Sequence, residues 1–393
     1  MRFNLWEDCN RVPLTELLSF IVDNRGKTVP TAPSGHKLIA TNCVTNNTLF
    51  PVYEKIRYLS EETYQTWFRA HPIPGDILFV NKGTPGRVCL VPDPVDFCIA
   101  QDMIALRADE SKIYPKYLFA VLRSREIQQQ IYNTNVGDVI PHFKKQFLNQ
   151  LLIPIPERSI QESIGDLYYV LSLKAERNKK INDNLQQQAA ALFSSLYDRT
   201  NTEVRFTDLI QILGGGTPKT GENTYWNGNI AFFTPKDVGT PYTLSTEKTI
   251  TEEGLSHCNS RLYPVNTVFV TARGTVGKVG MSGVPMAMNQ SCYALVGKET
   301  HQLLVYFYTL KTVDRLKHKA SGAVFDAITT RDFESEQIMK LSDDDATAFL
   351  RVAEPMFQEV LNNNIENLRL STLRDSLLPK LMSGEIDVSA VQL

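Results

Sequence analysis

Short apolar runs bounded by glycine, proline and aspartate alternate along this chain with longer stretches of helical period. Ile77–Val80 (ILFV) follows Pro74-Gly75-Asp76 and precedes Gly83-Thr84-Pro85-Gly86. Thr267–Val270 (TVFV) follows Pro264 and precedes Arg273-Gly274-Thr275-Val276-Gly277. Runs of this length, punctuated in this way, predict buried strands. Tyr117–Tyr132 and Leu303–Ala320 carry apolar residues at three- and four-residue intervals and predict amphipathic helices. The expected fold class is α+β.

Two longer periodic stretches stand apart. From Ser159 to Tyr197 a seam runs through Ile160, Ile164, Leu167, Leu171, Lys174, Asn178, Ile181, Leu185, Gln188 and Leu192. The alternating steps of four and three are heptad spacing, with polar members in the middle. Ser159 and Glu162 have the spacing of a capping box. A second stretch, from Asp345 to Met382, places Phe357, Leu361, Ile365 and Leu368 on one face. Pro355 and Pro379 predict breaks in it, leaving Pro355 to Leu378 as the unbroken part. The two stretches are expected to pair antiparallel, with Asn178 and one of Asn362 to Asn364 fixing the register; the alternative is two separate helices, each capping its own lobe. About 40 residues at ~1.5 Å each make a rod of roughly 60 Å.

The same features recur at one long interval. Phe79–Val88 (FVNKGTPGRV) resembles Phe269–Val279 (FVTARGTVGKV), and Gly83 and Gly274 fall 191 residues apart. Leu17 and Leu209, Val44 and Val238, Gln101 and Gln290, Gly137 and Gly322, and Ile181 and Ile365 keep nearly that register. The repeating unit is a whole domain, not a solenoid repeat of about 20–50 residues. The organisation expected is a first lobe at 1–157, a helical region at 158–199, a second lobe at 200–343 and a helical region at 344–393.

Composition narrows the function. The 393 residues are 42% hydrophobic and 21% charged, with a net charge of −2. A general cationic coat for nucleic acid is absent, so any such binding must use local basic patches. The six cysteines have no zinc-knuckle spacing and are expected as reduced thiols. The first ten residues lack the apolar core of a signal peptide, and no apolar run is long enough to span a membrane, so a cytoplasmic location is expected. Gly274-Thr275-Val276-Gly277-Lys278-Val279 fails the P-loop pattern in spacing and in its last residue. The six histidines show no paired metal-binding spacing, and neither a methyltransferase cofactor loop nor its Asn/Asp-Pro-Pro-aromatic motif occurs.

The ordered set of motifs carries a family resemblance. Gly214–Gly228 (GGGTPKTGENTYWNG), Phe232–Val238 (FFTPKDV), NKGTPGRV, RGTVGKV, NQSCYAL and Leu373–Val388 (LRDSLLPKLMSGEIDV) are similar to recurrent stretches of type I restriction–modification specificity subunits. The opening of the first lobe, VDNRGKTVPTAPSG, lacks the YWNG element, so its first loop is expected to be built differently. The resemblance implies a non-catalytic subunit with two tandem target-recognition domains, separated by long helices that pair as an antiparallel coiled coil. Each lobe would read half of a bipartite double-stranded DNA site. The helices would set the gap and bind two adenine methyltransferase subunits, and two motor-nuclease subunits would join them. The chain itself would carry no metal or cofactor; S-adenosylmethionine, ATP and magnesium would serve the partners.

Reading bases needs Arg, Lys, Asn or Gln at groove edges, and phosphates need cations or backbone N–H groups. The candidates are Arg25, Lys27, Lys82, Arg87, Lys144 and Lys145 in the first lobe. In the second they are Lys219, Lys236, Arg273, Lys278 and Arg331, with Tyr225 and Trp226 to pack or stack. Lys82/Arg273 and Arg87/Lys278 keep charge across the repeat, which suits phosphate contact. Two other classes remain open at this stage: a repeat-built scaffold binding only protein, and a self-contained restriction or methylation enzyme.

Overall fold

The computed structural model describes residues 4–24, 26–134, 141–239, 241–319 and 327–387. The Gly137/Gly322 anchor pair, Arg25 and Val388 lie outside them. The chain divides into two compact units: residues 1–178 with 366–393, and residues 179–365. Each is a mixed helix-and-sheet lobe with parts of two long helices.

In the first unit the main sheet runs Leu18–Val22, Met103–Ala108, Ile77–Val80, Val88–Leu90, all antiparallel. A smaller sheet orders Arg57–Leu59, His36–Ile39 and Phe97–Ile99, the last two parallel. Asn10–Pro13 pairs with Leu152–Ile155 and joins the lobe's start to its end. The second unit repeats this plan strand for strand. Its main sheet runs Ile210–Gly214, Cys292–Gly297, Val268–Thr271, Val279–Ser282, and its smaller sheet Lys248–Ile250, Trp226–Phe233, Met286–Met288, again with one parallel pair. Glu203–Arg205 with Gln337–Met339 joins its ends. One short strand is added, Tyr242–Thr243, beside Val279–Ser282. In the first unit the chain at 46–49 takes that edge, with Leu90 N donating to Leu49 O at 2.8 Å.

The predicted ILFV strand is Ile77–Val80, buried throughout, and its partner is shifted by one residue to Val268–Thr271. The predicted helix at 117–132 is two, Pro115–Leu122 and Arg125–Thr134. The break falls at Arg123-Ser124 because that arginine turns inward. Arg123 donates to the carbonyls of Thr45, Thr48 and Val88 and lies 4.4 Å from the Phe119 ring. Burial pulls its guanidinium below the usual arginine range. Gln302–Lys319 is a single helix, as expected.

The central helix runs Arg158–Tyr197 and the C-terminal helix Asp343–Met382. The central helix starts one residue before the expected cap, so Ser159 lies in its first turn and Glu162 pairs with Arg158 at 3.0 Å. The expected breaks at Pro355 and Pro379 do not occur, and the two helices are equally long at 40 residues each. Both prolines are solvent-exposed, so each carbonyl they leave without an N–H donor, at Arg351 and Asp375, can take water instead.

Within each unit the two helices run antiparallel. In the first unit Lys174 reaches Glu366 at 3.4 Å, Asn178 donates to Glu366 at 2.6 Å and to Asn367 at 3.0 Å, and Arg374 lies 5.5 Å from the Tyr168 ring. In the second, Asn182 donates to Asn364 at 2.9 Å and accepts from Asn363 at 2.9 Å. The buried member of the expected Asn362–Asn364 group is therefore Asn363. The seam differs from the heptad reading beyond Asn178. It passes through Asn182, Ala189, Phe193 and Leu196, with the expected Leu185 and Leu192 half-buried beside them, while the expected Gln188 is exposed and Ile181 and Leu368 are 46% and 49% exposed. A straight helix drifts against a 3.5-residue repeat, and the amide ladder draws Asn182, not Ile181, into the seam.

Aromatic packing anchors the lobes to these helices. Phe193 lies 5.0 Å from Phe307 and 5.4 Å from Phe349. In the first unit the central helix approaches the lobe so closely at Gly165 that a Cβ there would come within 2.5 Å of the Tyr117 nitrogen. Among the described residues no helix is long and apolar enough to cross a membrane. All six cysteines are free; Cys9 and Cys258 are half-buried and the other four are buried.

Replacing Arg123 with Met is expected to cost about 2–3 kcal/mol, because three carbonyls lose their donor. Denaturant unfolding measures the loss, and hydrogen exchange should confine it to the first unit. Replacing Asn182 with Leu is expected to cost about 2 kcal/mol by leaving Asn363 and Asn364 unpaired. The Asn182→Leu/Asn363→Leu pair should recover part of that in the same unfolding experiment.

Candidate nucleic-acid interface

One end of each main sheet gathers the loops that carry the candidate residues. In the first lobe, the strands ending at Val22 and Val80 and the strand beginning at Met103 meet there. Asn81 is the organiser. Its N–H donates to Asp102 O and its carbonyl accepts from Phe143 N. Gly83 N donates to Pro141 O, and Lys82 bridges to His142. The 82–87 turn is thereby laid beside the 141–145 segment.

The second lobe uses the same bonds one repeat later. Ala272 N donates to Ser291 O, Ile328 N to Ala272 O, and Arg273 bridges to Ala327. The turns themselves superpose in conformation. Gly83 and Gly274 have φ of 86° and 83°, and Gly86 and Gly277 have 87° and 75°. These are left-handed values that favour glycine. Each turn closes through its second glycine, Gly86 N to Val80 O and Gly277 N to Thr271 O. Each also backs onto a helix: Gln128 donates to Gly86 O at 2.9 Å, and a Cβ on Gly277 would meet Lys317 at 2.6 Å.

These bonds bring most of the candidates together. In the first lobe Lys82, Arg87, Lys144 and Lys145 lie on the paired turn and segment, and Lys27 lies on the loop leaving the adjoining strand. Lys145 reaches back to Asp23 at 2.8 Å. Arg25 lies outside the described residues. In the second lobe Arg273 and Lys278 flank the turn. Thr275 Oγ1 donates to Pro235 O at 3.3 Å, which sets Lys236 beside it, and Arg331 lies in the first turn of the helix just after the bridged Ala327. The loop of Lys219 joins through Thr217, whose hydroxyl bonds Gln290. All ten described candidates are exposed. Lys145 is ion-paired, and Lys236 lies 3.7 Å from Glu247. The other eight have no carboxylate partner among the described residues.

Two loop-building devices escaped the sequence reading. Asp237 accepts from Thr234 N at 2.8 Å and Glu247 N at 2.8 Å, and so shapes the loop that presents Lys236. In the first lobe Arg123 holds the corresponding chain from the helix side. Trp226 donates to Lys219 O at 3.2 Å, and the Tyr225 ring stacks on His257 at 4.9 Å. The YWNG element therefore shapes the Lys219 loop. Asn227 has a φ of 61°, and a Cβ on Gly228 would come within 2.5 Å of Ile250 O, so this bulge needs its Asn-Gly pair. The paired glycine turns and the Gln101/Gln290 pairing across the repeat were the signals in the sequence that marked this sheet end. Desolvation, with the nearby Asp237 charge, pushes the buried Cys292 thiol up to about 12, so it is a packing group. Among the described residues no group of three or more His, Cys, Asp or Glu could hold a metal ion.

The arrangement displays cations and polar groups, twice, on turns fixed by main-chain bonds and on neighbouring loops held by side chains. Exposed cations with polar groups beside them are the chemistry that a polyanion with sequence information would require. Comparison with known proteins agrees. The model of the type I restriction modification DNA specificity domain matches residues 23–187 and again 199–340. The HindI specificity subunit of Haemophilus influenzae is 22% identical over 398 residues, covering 79% of this chain and 86% of that protein. The EcoR124I/EcoR124II specificity subunit of Escherichia coli is 30% identical over 205 residues, 46% of this chain and 50% of that one. The crystal structure of the S subunit of a type I restriction-modification system from M. genitalium matches with a TM-score of 0.61 at 15% identity, covering 95% of this chain and 96% of that one. With two copies of the domain over most of its length, the chain belongs to the type I restriction modification DNA specificity family.

Proposed function

We propose that the two loop-bearing sheet ends read the two halves of a bipartite double-stranded DNA target, with 1–157 and 200–343 as the reading domains. The single observation that carries this is the duplicated turn, Lys82–Arg87 and Arg273–Lys278, with the same hydrogen bonds and cations at both ends but different residues in the loops around it. A conserved frame with conserved charge suits phosphates, and divergent loops suit different bases. The helical regions 158–199 and 344–393 would set the unread gap and carry two methyltransferase subunits, which two motor-nuclease subunits would join. The names of the relatives, as specificity subunits of restriction enzymes, support those partners. The chain would act as the recognition subunit, leaving catalysis, with S-adenosylmethionine, ATP and magnesium, to the partners, and would work in the cytoplasm beside the genome.

Co-expression with its cognate methyltransferase subunit, followed by long-read mapping of adenine methylation, tests the reading. A split motif with a fixed gap is expected; a contiguous motif, or no new methylation, would overturn it. Arg273→Ala and Lys278→Ala should each weaken binding on all sequences and lower the slope of log affinity against log salt by about 1. A loss confined to particular bases of one half-site would reassign the residue to base reading.

A further inference from the structure

The smaller sheet of the first lobe ends beside the main one, and its connecting loop carries a cation on an unusual backbone. His36–Ile39 runs parallel to Phe97–Ile99, whose next residues, 100–102, lead directly into the strand that begins at Met103. The smaller sheet therefore ends where the main sheet holds the 82–87 turn, and Asn81 N donating to Asp102 O joins the two. Arg57–Leu59 runs antiparallel to His36–Ile39, so it begins at that same end. Lys55 lies two residues before it. It is exposed and, like the eight cations above, has no carboxylate partner among the described residues.

Lys55 has a φ of 51°, in the left-handed region. Among the described residues the other non-glycines with such a φ are Asn227 and Asn266, and asparagine tolerates it far better than lysine does. Glycine would adopt it without steric penalty. The surroundings impose it on Lys55. Asn42 Nδ2 donates to Glu54 O at 2.7 Å, Cys43 Sγ donates to the same carbonyl at 3.5 Å, and Glu54 N donates to Val52 O at 3.0 Å. Arg123 holds the earlier part of the loop at the Thr45 and Thr48 carbonyls. Backbone strain that its surroundings enforce clusters at functional sites.

The repeat shows what the residue supplies. Ile39 opposite Ile99 and Phe233 opposite Met288 are matching pairs, so Asn42 takes the place of Lys236. In the second lobe this loop bears its lysine on the outgoing arm. In the first an amide stands there, and the lysine is on the returning arm. Each lobe thus keeps one lysine on the loop beside its glycine turn. We infer that Lys55 is a DNA-binding residue of the first lobe, meeting a backbone phosphate of its half-site, with Asn42 as its positioning residue. The inference rests on the DNA-reading function proposed above. Phosphate is the ligand because the charge is kept across the repeat while its place on the loop is not. A flexible ammonium meets a phosphate from either arm, whereas a base edge demands a fixed direction.

The test uses the complete complex carrying Lys55→Gly, Lys55→Arg, Asn42→Ala or Lys55→Gly with Asn42→Ala. Duplex binding is measured across a salt series, beside Tm and methylation mapping. Lys55→Gly should weaken binding about threefold to tenfold and lower the slope of log affinity against log salt by about 1. Its Tm should hold or rise, because glycine accepts the left-handed backbone. Lys55→Arg should restore the slope, and the mapped motif should keep its bases. Asn42→Ala should weaken binding on its own and add nothing to Lys55→Gly. Unchanged affinity and slope in Lys55→Gly overturn the inference, as does a lowered Tm, which would mark a structural role, or a loss that Lys55→Arg does not restore. A relaxed base in the motif overturns the phosphate assignment, and additive loss from Asn42→Ala overturns its positioning role. If the wild-type complex gives no split motif, the proposed function itself has failed; if the motif is split and Lys55→Gly binds as the wild type does, only this inference has.

Discussion

Each lobe depends on a single constraint: the residue after the central strand of its main sheet must satisfy two neighbours through its backbone at once. At Asn81 the N–H goes to Asp102 and the carbonyl takes Phe143; at Ala272 the same two bonds go to Ser291 and Ile328. Because both bonds are main-chain, they do not depend on the side chain at that place. The turn that follows, the strand start beside it and the returning segment are all placed by them. The loops can then differ in sequence without disturbing the scaffold, which is the condition for two readers on one frame.

The proposed surface rests on local charge, not net charge. A chain with a net charge of −2 has no general attraction for a polyanion. Yet eight exposed cations at the two loop-bearing ends have no carboxylate partner among the described residues, while many other lysines and arginines are held in ion pairs, such as Lys116 with Asp166 and Lys319 with Glu336. Arg123 directs its charge to three carbonyls and holds the loops from behind.

Much of this was legible in the sequence because it repeats. The paired glycine turns, the ILFV and TVFV strands and the long central helix carry strong local signals, and the equivalence of Gln101 with Gln290 pointed to the right sheet end. What was illegible depended on tertiary surroundings. Pro355 and Pro379 read as breaks, but whether a proline stops a helix depends on whether the orphaned carbonyl faces water. Ile181 read as a seam residue because it is apolar; Asn182 took the place because Asn363 and Asn364 wait across the pair. Arg123 looked like one more helical cation, since nothing local shows that the Thr45, Thr48 and Val88 carbonyls converge on it.

The division of the chain has a consequence for how the protein is made. The second unit is one continuous stretch, residues 179–365, whereas the first needs residues from 366 onward to finish its core, with Leu378, Leu381 and Met382 buried among its residues. On the ribosome the lobe translated first is therefore completed last. Until then its share of the central helix presents Ile164 and Tyr168 without their cover, a bare apolar strip that a chaperone, or another nascent copy, would meet first.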